Sequence, residues 1–592
     1  MILTDIESTA TSAFTSLIAK SDYLVPSINS MDKGPSWDGK VLVYDKPGDN
    51  HSKDDYKYGI PVQIKGKKLK RTKKKFSYPV EISDLKNYKK EVGVIFVVVC
   101  FDDNGENIHI YYKALLSYDL KRLLKDSDNQ KTKMIHLREL PSNVNKVTEI
   151  FLTIAGDFEK QKADSSFEQI FSYEDLMKDT SSTEFFFNCT VLEPNAAIDY
   201  LFENGAYIYV RTKEGIPIPI DHVECFDEYI TIRKKSISIN DKLFYNEYKV
   251  VRRKDSIIVT FGKSSHFGWG FENNKTEFRL CGTLSERILD CEFYLSLSEG
   301  GTIYIDSDEL CHTTPNSTSQ EDRQQIQRTY EELIEIRDMF IALNVKEDLQ
   351  MDNMTATDIY CLRNLIEAFR GKEIKLNDTG NPFGCYTIAN LKILICAQKN
   401  ESTGLFKVYN FYEAPFRIYG ETYDGKKMIV PLFTALYAKD IATYCNIDED
   451  RILGIIEETD YTDVVLNYVT HFLLEVIKAY DINPQNELLI FAEAIILKIC
   501  NKPCVEADTI LMMRLNKIQI IKRQRPLNED EKFELKNLLK SEITDETKLG
   551  ILILLDAHIE AELIFERLTK EQQEVFSDYP IFKFYKEIHS KL

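Results

Sequence analysis

The stretch that most limits how this chain folds is Gly93–Phe101, Gly-Val-Ile-Phe-Val-Val-Val-Cys-Phe, which carries no polar side chain. A strand this apolar has no face for water, so it belongs inside a sheet with a layer on each side. It is far too short to cross a bilayer, which takes about 20 apolar residues. Neighbouring segments supply the layers. Ile2, Leu3, Ile6, Ala10, Ala13, Phe14, Leu17 and Ile18 recur at roughly 100° per residue, which predicts a helix to about Lys20. Short strands are expected at Asp22–Ile28, Trp37–Asp45 and Gly59–Lys68. A helix is expected at Ser83–Lys90 with Ser83 as its cap. A strand at Asn107–Leu116 follows an Asp-Asn-Gly turn at Asp103, and a helix at Tyr118–Lys125 closes the unit. Residues 1–130 therefore read as one α/β domain.

The remaining chain changes character twice, so the whole reads as a multidomain α+β protein. Residues 145–315 are β-rich, with short strand-like runs and frequent turns, interrupted by a helix near Ser166–Lys178. His312–Glu321 is polar and reads as a linker. Residues 318–430 combine a long charged helix at Arg323–Ala342 with a small strand-rich insert at Thr387–Ala397 and Leu405–Tyr412. Residues 431–592 read as helix after helix, with Asn486 and Asn528 as entry residues. The lengths are those of helical hairpins in a repeat, without a fixed period.

Charge and cysteine usage bound the function. The formal net charge is −19, so any nucleic-acid site must be a local basic patch in an acidic field. The twelve cysteines form no dense framework, and Cys500 and Cys504 are too far apart for a Cys-x-x-Cys pair. Reduced thiols in a cytoplasm fit best. Asp5 and Glu7 stand where a signal peptide would carry basic residues, so a cytoplasmic protein with no membrane contact is expected. In that compartment the sequons at Asn188 and Asn353 say nothing about glycosylation.

Chemistry concentrates near Trp37-Asp38-Gly39 and Gly59-Ile60-Pro61-Val62-Gln63-Ile64-Lys65. Strand side chains alternate, so Gln63 and Lys65 share one face while Val62 and Ile64 enter an apolar layer. Asp38 on the neighbouring strand can meet them. A carboxylate, an amide oxygen and an ammonium then converge, which suffices to hold a divalent metal and a phosphate beside an attacking water. Glu7 falls within the apolar arc of the first helix, where a carboxylate needs a partner or a metal. From Lys65 to Lys75, eight of eleven residues are basic: Lys65, Lys67, Lys68, Lys70, Arg71, Lys73, Lys74 and Lys75. Such a run suits phosphate contacts of the salt-dependent, sequence-independent kind.

Each feature has a plainer alternative. Asp38 before Gly39 also suits a turn. Pro61 suits an edge strand whose Gln63 and Lys65 face water. Glu7 can sit at the rim of its arc with its carboxylate in solvent, and the lysine run can be a solvated hairpin loop or an address signal.

The order helix, strand, strand with Asp, strand with Gln-x-Lys, helix, buried strand, strand resembles the PD-(D/E)xK nuclease superfamily. The Gln-x-Lys form is most similar to Mrr-type endonucleases, over roughly the first 125 residues. The resemblance implies that Asp38, Gln63 and Lys65 are catalytic, with Glu7 added from the helix. It implies Mg²⁺ or Mn²⁺ held by Asp38, Gln63 and Glu7, and DNA held by Lys67 to Lys75. Gln63 departs from the commoner glutamate and brings no charge to the metal. The implied function is a metal-dependent DNA endonuclease in prokaryotic antiviral or anti-plasmid defence. The other regions would then gate or sense, bind a protein trigger, or build a homo-oligomer through the β-rich or helical domain. Two rivals stand beside it, a non-catalytic nucleic-acid-binding scaffold with a degenerate nuclease fold and an RNA-cleaving effector.

Other motifs are set aside. Gly262-Lys263-Ser264 lacks the glycine a phosphate loop needs, since Ile257 is there. Phe267-Gly268-Trp269-Gly270 reads as a β-turn with a buried Trp, and His266 as a structural histidine. No zinc spacing is present among the cysteines and histidines.

Overall fold

A computed structural model describes residues 3–28, 37–48, 51–69, 76–125, 127, 130–162, 170, 185–211, 215–270, 274–314, 319–377, 380–422, 425–502 and 505–589. The expected helix at Ser166–Lys178 lies almost wholly outside these residues. The fold is mixed α+β and divides into two compact units. The first comprises Met1–Arg233, Lys249–Val259 and Phe267–Lys275, and the second the rest of the chain.

The first unit is built on a seven-stranded sheet. Its strands are β1 (Leu24–Ile28), β2 (Gly39–Tyr44), β3 (Tyr56–Lys68), β4 (Phe76–Glu81), β5 (Gly93–Phe101), β6 (His109–Leu116) and β7 (Thr132–Glu139), in the order β1-β2-β3-β5-β6-β7-β4. Only β3 and β5 run parallel, from Val62 opposite Ile95 to Lys68 opposite Phe101. All nine residues of β5 are buried, as its composition dictates.

Two cores lie on opposite faces of this sheet. One holds Val41, Val43, Ile60, Val62 and Ile64 against Ala10, Phe14 and Ile18 of α1 (Leu3–Ile18). Helix α1 approaches the sheet closely at Gly66, where a Cβ would lie 2.7 Å from Ile6 Cγ2 and from Ile6 O. The second core packs Phe96 and Val98 of β5 with Phe76 and Val80 of β4 and with Leu85 and Tyr88 of α2 (Ile82–Lys90). Ser83 is not the cap of α2. The helix begins one residue earlier with Glu81 at the cap position, and Ser83 Oγ donates to Glu81 Oε2 at 3.2 Å.

The expected boundary near residue 130 is not where the first unit ends. Helix α3 (Ser117–Leu124) follows β6, strand β7 completes the sheet, and α4 (Val144–Gln161) covers its first face through Val147, Ile150, Phe151 and Phe158. A sheet apolar on both faces needs this second layer, and α1 alone is too short to supply it. A small sheet follows, with β9 (Ala206–Arg211) between β8 (Phe185–Phe187) and β10 (Pro217–Val223). Buried polar groups tie it to α4. Tyr209 Oη donates to Asp157 Oδ1 at 2.8 Å, and Gln161 Nε2 donates to Tyr209 Oη at 3.1 Å. Tyr207 Oη donates to Asp119 Oδ2, and His222 Nδ1 lies 2.9 Å from Asp119 Oδ1.

In the second unit, helix Leu284–Ser298 starts at a Thr283–Glu286 capping box. The rejected phosphate-loop motif forms a turn with Gly262 at φ +61, held by an anion of the protein itself. Lys263 N and Tyr245 Oη both donate to the Asp290 carboxylate. His266 is structural, its Nδ1 2.9 Å from Thr260 Oγ1, whereas Phe267–Gly270 is not a turn around a buried Trp but the end of strand Ser265–Gly270, with Trp269 exposed. Helices Gln320–Ala342 and Ala356–Phe369 precede a three-stranded antiparallel sheet of Phe383–Ile388, Leu391–Lys399 and Phe406–Asn410. The core does not break near residue 430. Leu394, Cys396 and Phe411 pack into the same cluster as Phe472, Leu473 and Ile495 of the helices that follow. Those helices run from Glu449–Glu458 to Phe582–His589, and Asn528 caps Glu529–Leu538 through a box with Glu531. No described helix is long and apolar enough to cross a membrane.

Candidate functional site

Strand register brings Asp38 onto β3. The β2–β3 ladder ends with Gly39 opposite Val62, and Asp38 sits one residue beyond the strand, its N–H donating to Val62 O at 2.9 Å. Gly39 is needed there, because with φ +153 a Cβ would lie 2.4 Å from Ser27 O of β1. Among the described residues, the β2 side of β3 has no strand partner beyond Val62, and the Asp38 side chain fills that role. Its Oδ2 accepts from Ile64 N at 2.6 Å and from Gln63 Nε2 at 2.7 Å. Asp38 is thus a ladder-closing carboxylate rather than a turn residue.

The alternation holds along β3. Val62 and Ile64 enter the core under α1, while Gln63, Lys65 and Lys67 point to the other face. Gln63 is only 6% exposed and Lys65 is half-buried. Pro61 does not make β3 an edge. It pairs with Lys40 of β2, and the β5 ladder begins one residue later at Val62. Lys67 lies over the rings of Phe76 at 5.3 Å and Tyr78 at 5.6 Å, and Lys68 Nζ lies 3.4 Å from Asp103. Lys70, Arg71, Lys73, Lys74 and Lys75 fall outside the described residues.

Glu7 does not lie against the sheet. It is exposed on α1, whose buried residues Ala10, Phe14 and Ile18 pack on the face opposite Gln63 and Lys65. The periodicity placed Glu7 on the apolar arc, but it is Ile6 that meets β3, at Gly66, and Glu7 beside it faces solvent.

Helix α2 contributes two groups that the sequence reading passed over. Asp84 is half-buried, and its carboxyl is held above its ordinary value by burial, with Glu81 adding and Lys65 opposing. Tyr88, one turn on, is buried and its hydroxyl is raised by burial, with the Asp84 and Asp38 charges adding. Asp84 and Tyr88 thus share the electrostatic neighbourhood of Lys65 and Asp38. The Asp-x-x-x-Tyr spacing, which puts both on one helix face, was the available signal.

Among the described residues, one group of three His, Cys, Asp or Glu side chains lies within metal-ligand reach, at His471, Glu475 and Asp578 in the second unit. It already holds a cation of the protein, since Lys478 Nζ is 2.8 Å from both Glu475 and Asp578. In the first unit the donors are fewer. Mg²⁺ keeps several waters and takes one or two carboxylates plus substrate phosphate. Asp38, hydrogen-bonded by Gln63, offers one carboxylate toward that demand, and Asp84 is a second carboxylate whose charge is coupled to Lys65 on the same face of β3. No protein-family model, curated protein or solved structure matches this chain.

Proposed function

We propose that the first unit is a metal-dependent endonuclease that hydrolyses DNA phosphodiester bonds. The observation that carries the reading is the contact of Asp38 with Gln63, with Lys65 on the same face of a strand running parallel to a fully buried one. Asp38 and Asp84 would hold Mg²⁺ or Mn²⁺, with Gln63 fixing the Asp38 carboxylate. The metal supplies charge stabilisation on the phosphoryl oxygens and a more acidic water. Lys65 screens the phosphate and orients the water whose oxygen attacks phosphorus. The attacking water gives up its proton to bulk solvent, the P–O bond opposite breaks, and the leaving oxygen takes a proton from a solvent water. Lys67 and Lys68 begin the basic run that would track the backbone. A role in prokaryotic defence follows from the sequence resemblance alone.

A second reading has its own observation. The Asp38 oxygen that meets Gln63 also accepts Ile64 N, so the pair serves to close the sheet. On that reading the chain binds nucleic acid without cutting it. Cleavage of plasmid and linear DNA by the full chain with Mg²⁺ or Mn²⁺ separates the two. Metal-dependent cutting that is lost in Asp38→Asn and Lys65→Ala supports the nuclease. No cutting, with salt-dependent binding retained, favours the second reading. Equal cutting by all three proteins overturns the site, and competition between DNA and RNA at fixed salt names the substrate.

A further inference from the structure

The helices of the second unit enclose a cavity of about 700 Å³, within the range that ligand sites occupy. It lies between Asp463–Ile482, Ala507–Gln524, Asp545–Leu554 and Lys570–Ser577. Its floor is apolar, with Leu474, Leu515, Phe576 and Ile581, and its mouth is open along the exposed Met512, Val575 and Tyr579.

Three details indicate that this space is kept for an occupant. Asn516 is 8% exposed, and its Oδ1 accepts from Gln519 Nε2 at 2.7 Å. Its Nδ2 has no acceptor among the described residues, and the side chain lines the cavity. The amide therefore offers its N–H groups to whatever fills the cavity, water or a bound acceptor. Gly550 sits inside a helix, where glycine costs about 1 kcal/mol relative to alanine. Packing does not require it, since a Cβ there would meet only Ile581 Cδ1 at 3.5 Å, yet it too lines the cavity. No lysine or arginine lines the space, while Glu546 and Glu571 do. Glu546 is hydrogen-bonded by Gln572 Nε2 at 2.6 Å, and Glu571 makes no ion pair among the described residues.

The two carboxylates and the absence of lysine or arginine in the lining disfavour nucleic acid and other polyanions as occupants. An extended peptide satisfies them all: its carbonyls accept from Asn516, an aliphatic or aromatic side chain fills the floor, and a basic side chain meets Glu571. We infer that this groove is a docking site for an extended protein segment that pairs an apolar residue with a neighbouring lysine or arginine. This holds whether or not the first unit cuts DNA.

The test is selection of a phage-displayed random dodecapeptide library on the full chain, with synthetic versions of the winners measured against variants. The selected peptides should converge on a basic residue beside a large apolar one. Their affinity should fall at least tenfold in Gly550→Phe, which fills the floor, and in Glu571→Lys, an exposed change that leaves packing alone. Failure to converge, convergence on acidic peptides, or full affinity in Glu571→Lys with a wild-type melting temperature would each overturn the proposal.

Discussion

The Gln63 amide donates to the Asp38 carboxylate at 2.7 Å, on the same oxygen that closes the β2–β3 ladder at Ile64 N. Structure and chemistry therefore separate by substitution. Asp38→Asn keeps an acceptor for Ile64 N and should melt within a few degrees of wild type while abolishing metal-dependent cleavage. Asp38→Ala orphans both donors and should cost about 1–3 kcal/mol as well. Denaturant unfolding alongside the cleavage assay reads both effects.

Asp84 offers a sharper test of the site, because nothing in the packing of α2 needs its charge. Asp84→Asn should leave the unfolding midpoint unchanged and lower the cleavage rate at least tenfold, with partial recovery at raised Mn²⁺. An unchanged rate across the metal titration would remove Asp84 from the site.

At Gly66 there is no room for a side chain, since Ile6 lies within 2.7 Å of where a Cβ would stand. Gly66→Val should destabilise the first unit by about 2 kcal/mol through overpacking against α1. Chemical denaturation monitored by near-UV circular dichroism would show it.

Burial raises the Asp157 carboxyl to about 7 from its ordinary 3.8, against the hydrogen bond from Tyr209 and the charge of Lys160. Between those values the folded chain holds a proton that the unfolded chain has lost. The Asp157 contribution to stability is thus present in full below about pH 4, falls as pH rises, and is gone above about pH 7. Asp157→Asn stays neutral throughout and still accepts from Tyr209. Its melting temperature should match wild type near pH 4 and exceed it at pH 8, and equal differences at both would contradict the assignment.

In the helical region, Arg523 has a side chain 1% exposed and pairs with Asp481 at 2.7 Å while lying 4.8 Å from the centre of the Phe584 ring. Arg523→Met should cost about 3 kcal/mol, because a half-buried carboxylate loses its main partner. Lys583, 2.9 Å from Asp481, keeps the loss from being larger. Thermal unfolding of the full chain would register it.

The first sheet was legible because periodicity is local. Gly93–Phe101 announced a doubly buried strand, and the alternation Val62, Gln63, Ile64, Lys65 gave the faces of β3 correctly. Misreadings came where tertiary geometry intervenes. Glu7 lies on the predicted arc, but only the sheet decides which residues of that arc it meets. The unit did not stop near 130, because the second layer over the first core comes from α4. Asp84 and Tyr88 sat in a helix the sequence predicted, yet the coupling of Asp84 to Lys65 and of Tyr88 to Asp38 depends on how α2 packs, which no local pattern shows.

The sheet order carries a consequence in time. Strand β4 pairs with β7, Phe76 opposite Leu137 and Glu81 opposite Thr132. During synthesis Asp38, Gln63 and Lys65 leave the ribosome first, followed by β4, whose edge waits unpaired until β7 arrives. Unpaired edges invite intermolecular pairing in nascent chains. The candidate site thus reaches its final surroundings only after residue 139 has been made, so a fragment cut at residue 130 would preserve an early stage of assembly rather than a minimal functional part.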